Sequence, residues 1–198
     1  MALAYSRIGI ALMEMGEYEK SFSYLKKCLK VQEENLRSDH PDIASTYNTI
    51  ARTLGFMGKY EEALAYRKKS IEVFEKVFGP QHPNTALKYD ALGMLLKEMG
   101  RYKEAITFHQ KSIDILEGSL GSDNVHTASA YTNMGNAYKE MGMYREALDY
   151  HKKCLAVFEK VLGHKHPVTA KAYNNIGSTL RWMRKQKHYH ILRNLMQF

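Results

Sequence analysis

No stretch of this sequence approaches the roughly 18 consecutive apolar residues that a membrane-spanning helix needs, so no membrane partner is expected. The opening residues, Met1-Ala2-Leu3-Ala4-Tyr5-Ser6-Arg7, lack a basic segment followed by an apolar one, which argues against a secretory leader. Cysteine is scarce: Cys28 and Cys154 are the only two, which fits a reducing compartment and a cytoplasmic location. Catalytic signatures are missing as well. There is no Gly-x-Ser-x-Gly, no phosphate-binding glycine loop and no His-Glu-x-x-His, so neither an enzyme nor a cofactor is expected. His164-Lys165-His166 and His188-Tyr189-His190 have no Cys, Asp or Glu at ligand spacing beside them, and two ligands do not close a metal site.

Acidic charge is absent from the end of the chain. The net charge is +8, but residues 1–180 carry 24 Lys and Arg against 21 Asp and Glu. Residues 181–198 carry five basic residues and no acid. A nucleic-acid binder would spread a basic stripe along its body, so a nucleic-acid partner is not expected. Only four prolines occur, and three of them follow a histidine.

Repetition dominates what is present. Met15-Gly16-Glu17-Tyr18 returns as Met57-Gly58-Lys59-Tyr60, Met99-Gly100-Arg101-Tyr102 and Met141-Gly142-Met143-Tyr144, always 42 residues on. His40-Pro41, His82-Pro83, Asn124-Val125 and His166-Pro167 keep the same period, as do Tyr5, Tyr47, Tyr89, Tyr131 and Tyr173. Each unit predicts two helices. The first, for example 41–57, places Ile43, Tyr47, Ile50 and Leu54 on one face. Proline suits its first turn, where the missing N–H has no helical partner, and Asn124 can cap the one unit without proline. The glycine of Met-Gly-x-Tyr can take the left-handed conformation that stops a helix. A second helix follows at once, for example 60–78.

Small residues mark where these helices meet. Gly9, Ala51, Gly93, Gly135 and Gly177 share one place in the first helix, and Ser21, Ala63, Ala105 and Ala147 one place in the second. Cys28, Ser70, Ser112 and Cys154 form a third column, expected to face the next unit. Three units of stacked hairpins between Cys28 and Cys154 exceed the roughly 7 Å reach of a disulfide, so both are expected as free thiols. One hairpin cannot cover its own apolar face, and stacking neighbours does so.

Tyr131, Met134, Gly135, Tyr138, Ala147, Tyr150 and Cys154 together resemble the tetratricopeptide repeat. That family's unit is about 34 residues long. The longer unit here, with its Gly-x-x-His-Pro connector, is similar to the repeats of kinesin light chain and of nephrocystin-3-like proteins. Stretches such as Glu75-Lys76-Val77-Phe78-Gly79-Pro80-Gln81-His82-Pro83 and Tyr173-Asn174-Asn175-Ile176-Gly177 carry the closer likeness. The heptad coiled coil through which a kinesin light chain binds its heavy chain is not in this sequence. The resemblance implies an all-α, right-handed α-solenoid of stacked antiparallel helical hairpins. Repeats are expected at about 2–39, 40–81, 82–123 and 124–165, with the first helix of a fifth at 166–183. The array would then span 1–183, leaving 184–198 as a degenerate capping helix or a basic tail. Arg184-Lys185-Gln186 stands where Gly-x-Tyr should recur, yet Tyr189, Leu192 and Met196 keep the spacing of a second helix's inner residues.

In the family so resembled, the exposed face of the first helices lines a concave groove. The resemblance places Asn48, Arg52, Lys97, Asn133, Asn136, Lys139, Asn174, Asn175 and Arg181 on that face, with Ser6, Asp90 and Thr132 beside them. Asparagine supplies both donors and acceptors to the backbone of an extended peptide, and Arg and Lys suit carboxylates. The expected function is therefore a scaffold or adaptor that holds a short, partly acidic peptide. The alternative is a structural or self-associating module. Either way the partner is a protein or peptide, and the chain is expected to be a monomer or to self-associate weakly.

Overall fold

A computed structural model describes the backbone of residues 1–195 and the side chains of residues 1–189. Among the described residues all regular structure is helical. The chain divides into two compact units, Met1–Met99 and Gly100–Phe198. The first holds α1 (Ala2–Glu14), α2 (Tyr18–Asn35), α3 (Pro41–Phe56), α4 (Tyr60–Phe78) and α5 (Pro83–Glu98). The second holds α6 (Tyr102–Leu120), α7 (Val125–Glu140), α8 (Tyr144–Leu162) and α9 (Pro167–Leu195). Within each unit every helix packs on the one that follows it.

The repeated sequence signals are the turns. Gly58 has φ 73°, a left-handed value, which lets the Lys59 N–H reach back to the Leu54 carbonyl at 2.9 Å and the Gly58 N–H to Gly55 at 3.0 Å. Glu17 and Met143 make the same bond to Leu12 and Tyr138 at 2.9 and 3.0 Å. The other connector works through three residues. Gly79 turns at φ 90°, and the Thr85 hydroxyl donates to its carbonyl at 2.8 Å. His82 then caps α5, its Nδ1 accepting from the Asn84 N–H at 3.1 Å. His40 and His166 cap α3 and α9 in the same way, and Asn124 does so for α7 through its amide oxygen at 2.8 Å. His and Asn thus alternate at one position because each offers an acceptor two residues ahead of an unpaired backbone N–H.

Hairpins close where side chains are smallest. Ser21, Ala63 and Ala147 are fully buried, and the Ser21 hydroxyl donates to the Gly9 carbonyl at 2.7 Å. The third column does more than face the next unit. Cys28 Sγ does lie 3.8 Å from Thr46 Oγ1 of the following helix. Ser70, however, donates to the Ala44 carbonyl of its own hairpin at 2.8 Å. A small residue there sits between two first helices and can bond to either. Both cysteines are buried free thiols, and burial raises the pKa of each.

The tyrosine column fastens each first helix to the second helix before it. Tyr47 donates to Glu33 Oε1 at 3.3 Å, and Tyr89, Tyr131 and Tyr173 bond Glu75, Glu117 and Glu159. Burial and the neighbouring carboxylate raise the pKa of Tyr89 and Tyr131.

At the C-terminal end α9 runs unbroken from Pro167 to Leu195. Within α9 no turn separates residues 167–183 from 184–195, so the described part of the expected capping segment continues the fifth first helix. The reason is local: Arg184 stands where the other repeats place the left-handed glycine, and no Gly or Pro follows it. Tyr189 is accordingly exposed, while the side chain of Leu192 and all of Met196 lie outside the described residues.

Candidate peptide-binding surface

In the first unit three of the expected positions surround a residue that the apolar periodicity passed over. Arg67 of α4 is buried at 7% exposure. Its Nη1 donates to Asn48 Oδ1 of α3, while its Nε has no partner. Arginine has no acceptor, so the amide of Asn48 must face it oxygen-first. The two N–H donors of that amide are turned away from Arg67. Burial first, and then the charge of Arg52, push the Arg67 pKa down to about 10, with Glu98 and Asp90 opposing. The guanidinium remains charged at neutral pH. Arg52 is exposed, and its Nε lies 3.3 Å from Met13 Sδ of α1. Asn48, Arg52 and Asp90 therefore share one neighbourhood, centred on Arg67, whereas Lys97 is half-buried further along α5.

In the second unit Asn133, Asn174 and Asn175 come together. With Ser129, Thr132 and Lys171 they line a cleft of about 400 Å³ between α7 and α9, floored by Phe158, Val168 and Ala172. Asn136 and Lys139 are half-buried on α7 and do not line it. Lys139 instead lies close enough to His151 for its charge to act there. Arg181 is exposed in a separate basic cluster with Arg184, Lys185 and Lys187. A comparable cleft of about 400 Å³ lies between α1 and α3 in the first unit, lined by Ser6, Gln32, Asp42, Ser45 and Thr49. Its lining is acidic where that of the α7–α9 cleft is basic.

Arg67 was missed because its register is an inner one, where periodicity counts only apolar residues. Its equivalents are Leu25, His109 and His151. A polar residue inside an otherwise apolar register was the signal available in the sequence. Among the described residues no three His, Cys, Asp or Glu side chains gather as a metal site would require. No helix among them is long and apolar enough to cross a membrane.

The tetratricopeptide repeat family model matches residues 1–66, 42–118 and 126–188. The chain is a tetratricopeptide repeat protein. Its fold is that of an all-α helical-repeat solenoid, and solved structures share it. Kinesin light chain repeats of Podosopora anserina, described as nearly identical TPR-like repeats, superpose with a TM-score of 0.78 at 18% identity, covering 98% of this chain and 92% of that one. BtubC (BKLC) of P. vanneervenii gives 0.77 at 18% identity over 90% of this chain and 71% of its own. The apo form of RapI gives 0.75 at 18% identity, over 96% and 65%. No curated protein matches the sequence. In fold the repeat protein is thus kinesin-light-chain-like, and its family is one of protein-interaction scaffolds, typically non-catalytic.

Proposed function

We propose that the repeat protein is an adaptor that holds a short, extended, partly acidic peptide against the exposed face of its first helices. The observation that carries this is the α7–α9 cleft. Asn133, Asn174 and Asn175 offer amide donors and acceptors over an apolar floor, and Lys171 supplies positive charge. Asn136, Lys139 and Arg181 add polar and basic side chains in the same unit, and Arg52 and Lys97 do so on the first helices of the other. Asp90 and Glu98 limit that field, which favours a mixed polar and acidic ligand and disfavours a nucleic-acid backbone. Two buried thiols fit a reducing, cytoplasmic setting. No catalytic role enters this reading, and the alternative of a purely structural module has no observation that favours it over the cleft.

The test is an array of extended ten-residue peptides bearing one to three Asp or Glu. The tightest is then titrated by fluorescence anisotropy against wild type and Asn174→Ala/Asn175→Ala. Loss of these ligand hydrogen bonds should weaken binding by about 1–3 kcal/mol with the melting temperature unchanged. Affinity should also fall as salt rises. Equal affinities for wild type and variant would move the site away from this cleft.

A further inference from the structure

In the hairpins within each unit, a bulky residue of the second helix sits on a small residue of the first. A Cβ on Gly9 would lie 2.8 Å from Leu25 Cγ, and one on Gly135 would lie 2.6 Å from His151 Cε1. Gly177 of α9 holds the same register, yet a Cβ there would meet nothing within 4 Å. The residues around it are uncovered to match. Tyr173 is 46% exposed where Tyr131 is 4%, and Leu180 is 47% exposed where Leu54 is 0%. Ile176 is half-buried where Met134 and Ile50 are fully buried. The adjoining flank of α9 is packed in the ordinary way, with Ala172 and Thr179 buried. Tyr173, Ile176, Gly177 and Leu180 fall at i, i+3, i+4 and i+7, one continuous helical stripe.

We propose that this stripe is the docking face for one amphipathic helix of an acidic protein partner, which completes a fifth hairpin. The internal hairpins show what covers such a face. The covering helix carries a small residue over the first helix, as Ala147 does, and a bulky one four positions later, as His151 does. Residues 1–195 cannot supply it, because α9 continues straight past the point where a turn would have to lie. Charge selects among outside occupants. Arg181, Arg184, Lys185 and Lys187 are exposed along the same helix, and the sequence has no Asp or Glu after Glu159. A second copy docking through this face would set basic surface against basic surface. An acidic helix would meet it with complementary charge.

The single tryptophan, Trp182, lies two residues beyond Leu180 and therefore on the far side of α9 from the stripe, so the reporter is carried by the peptide. The probes are two peptides built on residues 102–120, which keep a second helix's inner face and contain no tryptophan. One carries Lys103→Glu and Lys111→Glu, and the other Glu104→Lys and Asp114→Lys. Titration of the 198-residue protein into each fluorescein-labelled peptide should give a saturable rise in anisotropy, with the acidic peptide binding at least tenfold tighter. Gly177→Met should weaken that binding at least tenfold while leaving the melting temperature equal or higher, because its side chain enters open space. Leu180→Asp, at a half-exposed site, should lose binding to the same extent and serves as the independent variant. Asn174→Ala/Asn175→Ala should not affect it, which separates this face from the peptide cleft. The proposal is overturned if neither peptide saturates, or if both α9 variants bind as wild type does. It is equally overturned if light scattering finds a dimer of the wild type that Gly177→Met dissolves, for the occupant is then a second copy.

Discussion

Arg67 and His151 stand at one register, two repeat periods apart, and the same packing slot has given them opposite electrical lives. Each is buried against a first helix, Arg67 at Asn48 of α3 and His151 over Gly135 of α7. Arg67 keeps its charge, donates to Asn48 and lies among Arg52, Asp90 and Glu98. His151 is fully buried with neither ring nitrogen bonded, and it is neutral. Leu25, over Gly9, shows that the slot can be filled without polarity. The slot is therefore a steric requirement with free chemistry. Where a polar group occupies it, the surroundings decide whether it is a solvated charge reaching the surface or a desolvated group that the fold tolerates only when uncharged.

That contrast breaks most sharply with pH. Burial, and secondarily the charge of Lys139, push the His151 pKa down to about 4 from an ordinary value near 6.5. The unfolded chain then takes up this proton at higher pH than the folded one does. Stability on this account is full above about 6.5 and is lost as pH falls toward 4. The ceiling of the loss is about 3 kcal/mol. Urea denaturation at pH 7 and pH 4.5 should show most of it. In His151→Leu, which copies Leu25 over a glycine, the pH slope should flatten. An unchanged slope would mean that another group sets the acid sensitivity.

The next effect separates the covered glycine from the open one. Gly135→Ala drives a methyl to 2.6 Å from a buried ring that has no free direction to move in. Overpacking of this kind should cost about 1–3 kcal/mol, partly offset by the better helix propensity of alanine. Gly177→Ala meets nothing. Only the propensity gain remains, up to about 1 kcal/mol for an exposed helical position. Thermal melts of the two variants should thus shift in opposite directions. Equal shifts would mean that the face of α9 is covered.

How much of this was legible follows from what forces a residue's identity. The period, the turns and the small-residue columns were readable because a left-handed φ or a close backbone approach admits few side chains. Gly58, Gly79 and Ala147 are examples. The continuation of α9 was not foreseen, since Tyr189, Leu192 and Met196 kept the apolar spacing of a second helix. Spacing describes a face, however, and only a turn residue at 184 could have folded that face back. The Tyr–Glu bonds across 14 residues also escaped, because the tyrosines were read as core alone, and each phenol lies at the edge of that core. Of the surface positions, Asn133, Asn174 and Asn175 share a cleft, whereas Asn136, Lys139 and Arg181 point to other surroundings. Helical register fixes which face a residue occupies, but not which neighbouring helix borders it.

The smallest effect on stability tests what Arg67 is for. A buried guanidinium with an unpartnered Nε and a second arginine nearby is a poor source of folding energy, and apolar replacements of such groups are often neutral. Methionine is unbranched and adaptable enough to fill the buried space that Arg67 occupies. Arg67→Met should therefore change the unfolding free energy by less than about 1 kcal/mol. Its consequence should appear at the surface instead. Without Arg67 the Asn48 amide loses the group that holds its oxygen inward, and its donors no longer face a ligand in a fixed orientation. Binding of a peptide from the array that is sensitive to Arg52→Ala should weaken about tenfold, about 1.4 kcal/mol, in Arg67→Met. Arg67→Lys should recover little, because one ammonium cannot reproduce the planar guanidinium that orients the amide. A large loss of stability with unchanged binding would assign Arg67 to the core and detach it from recognition.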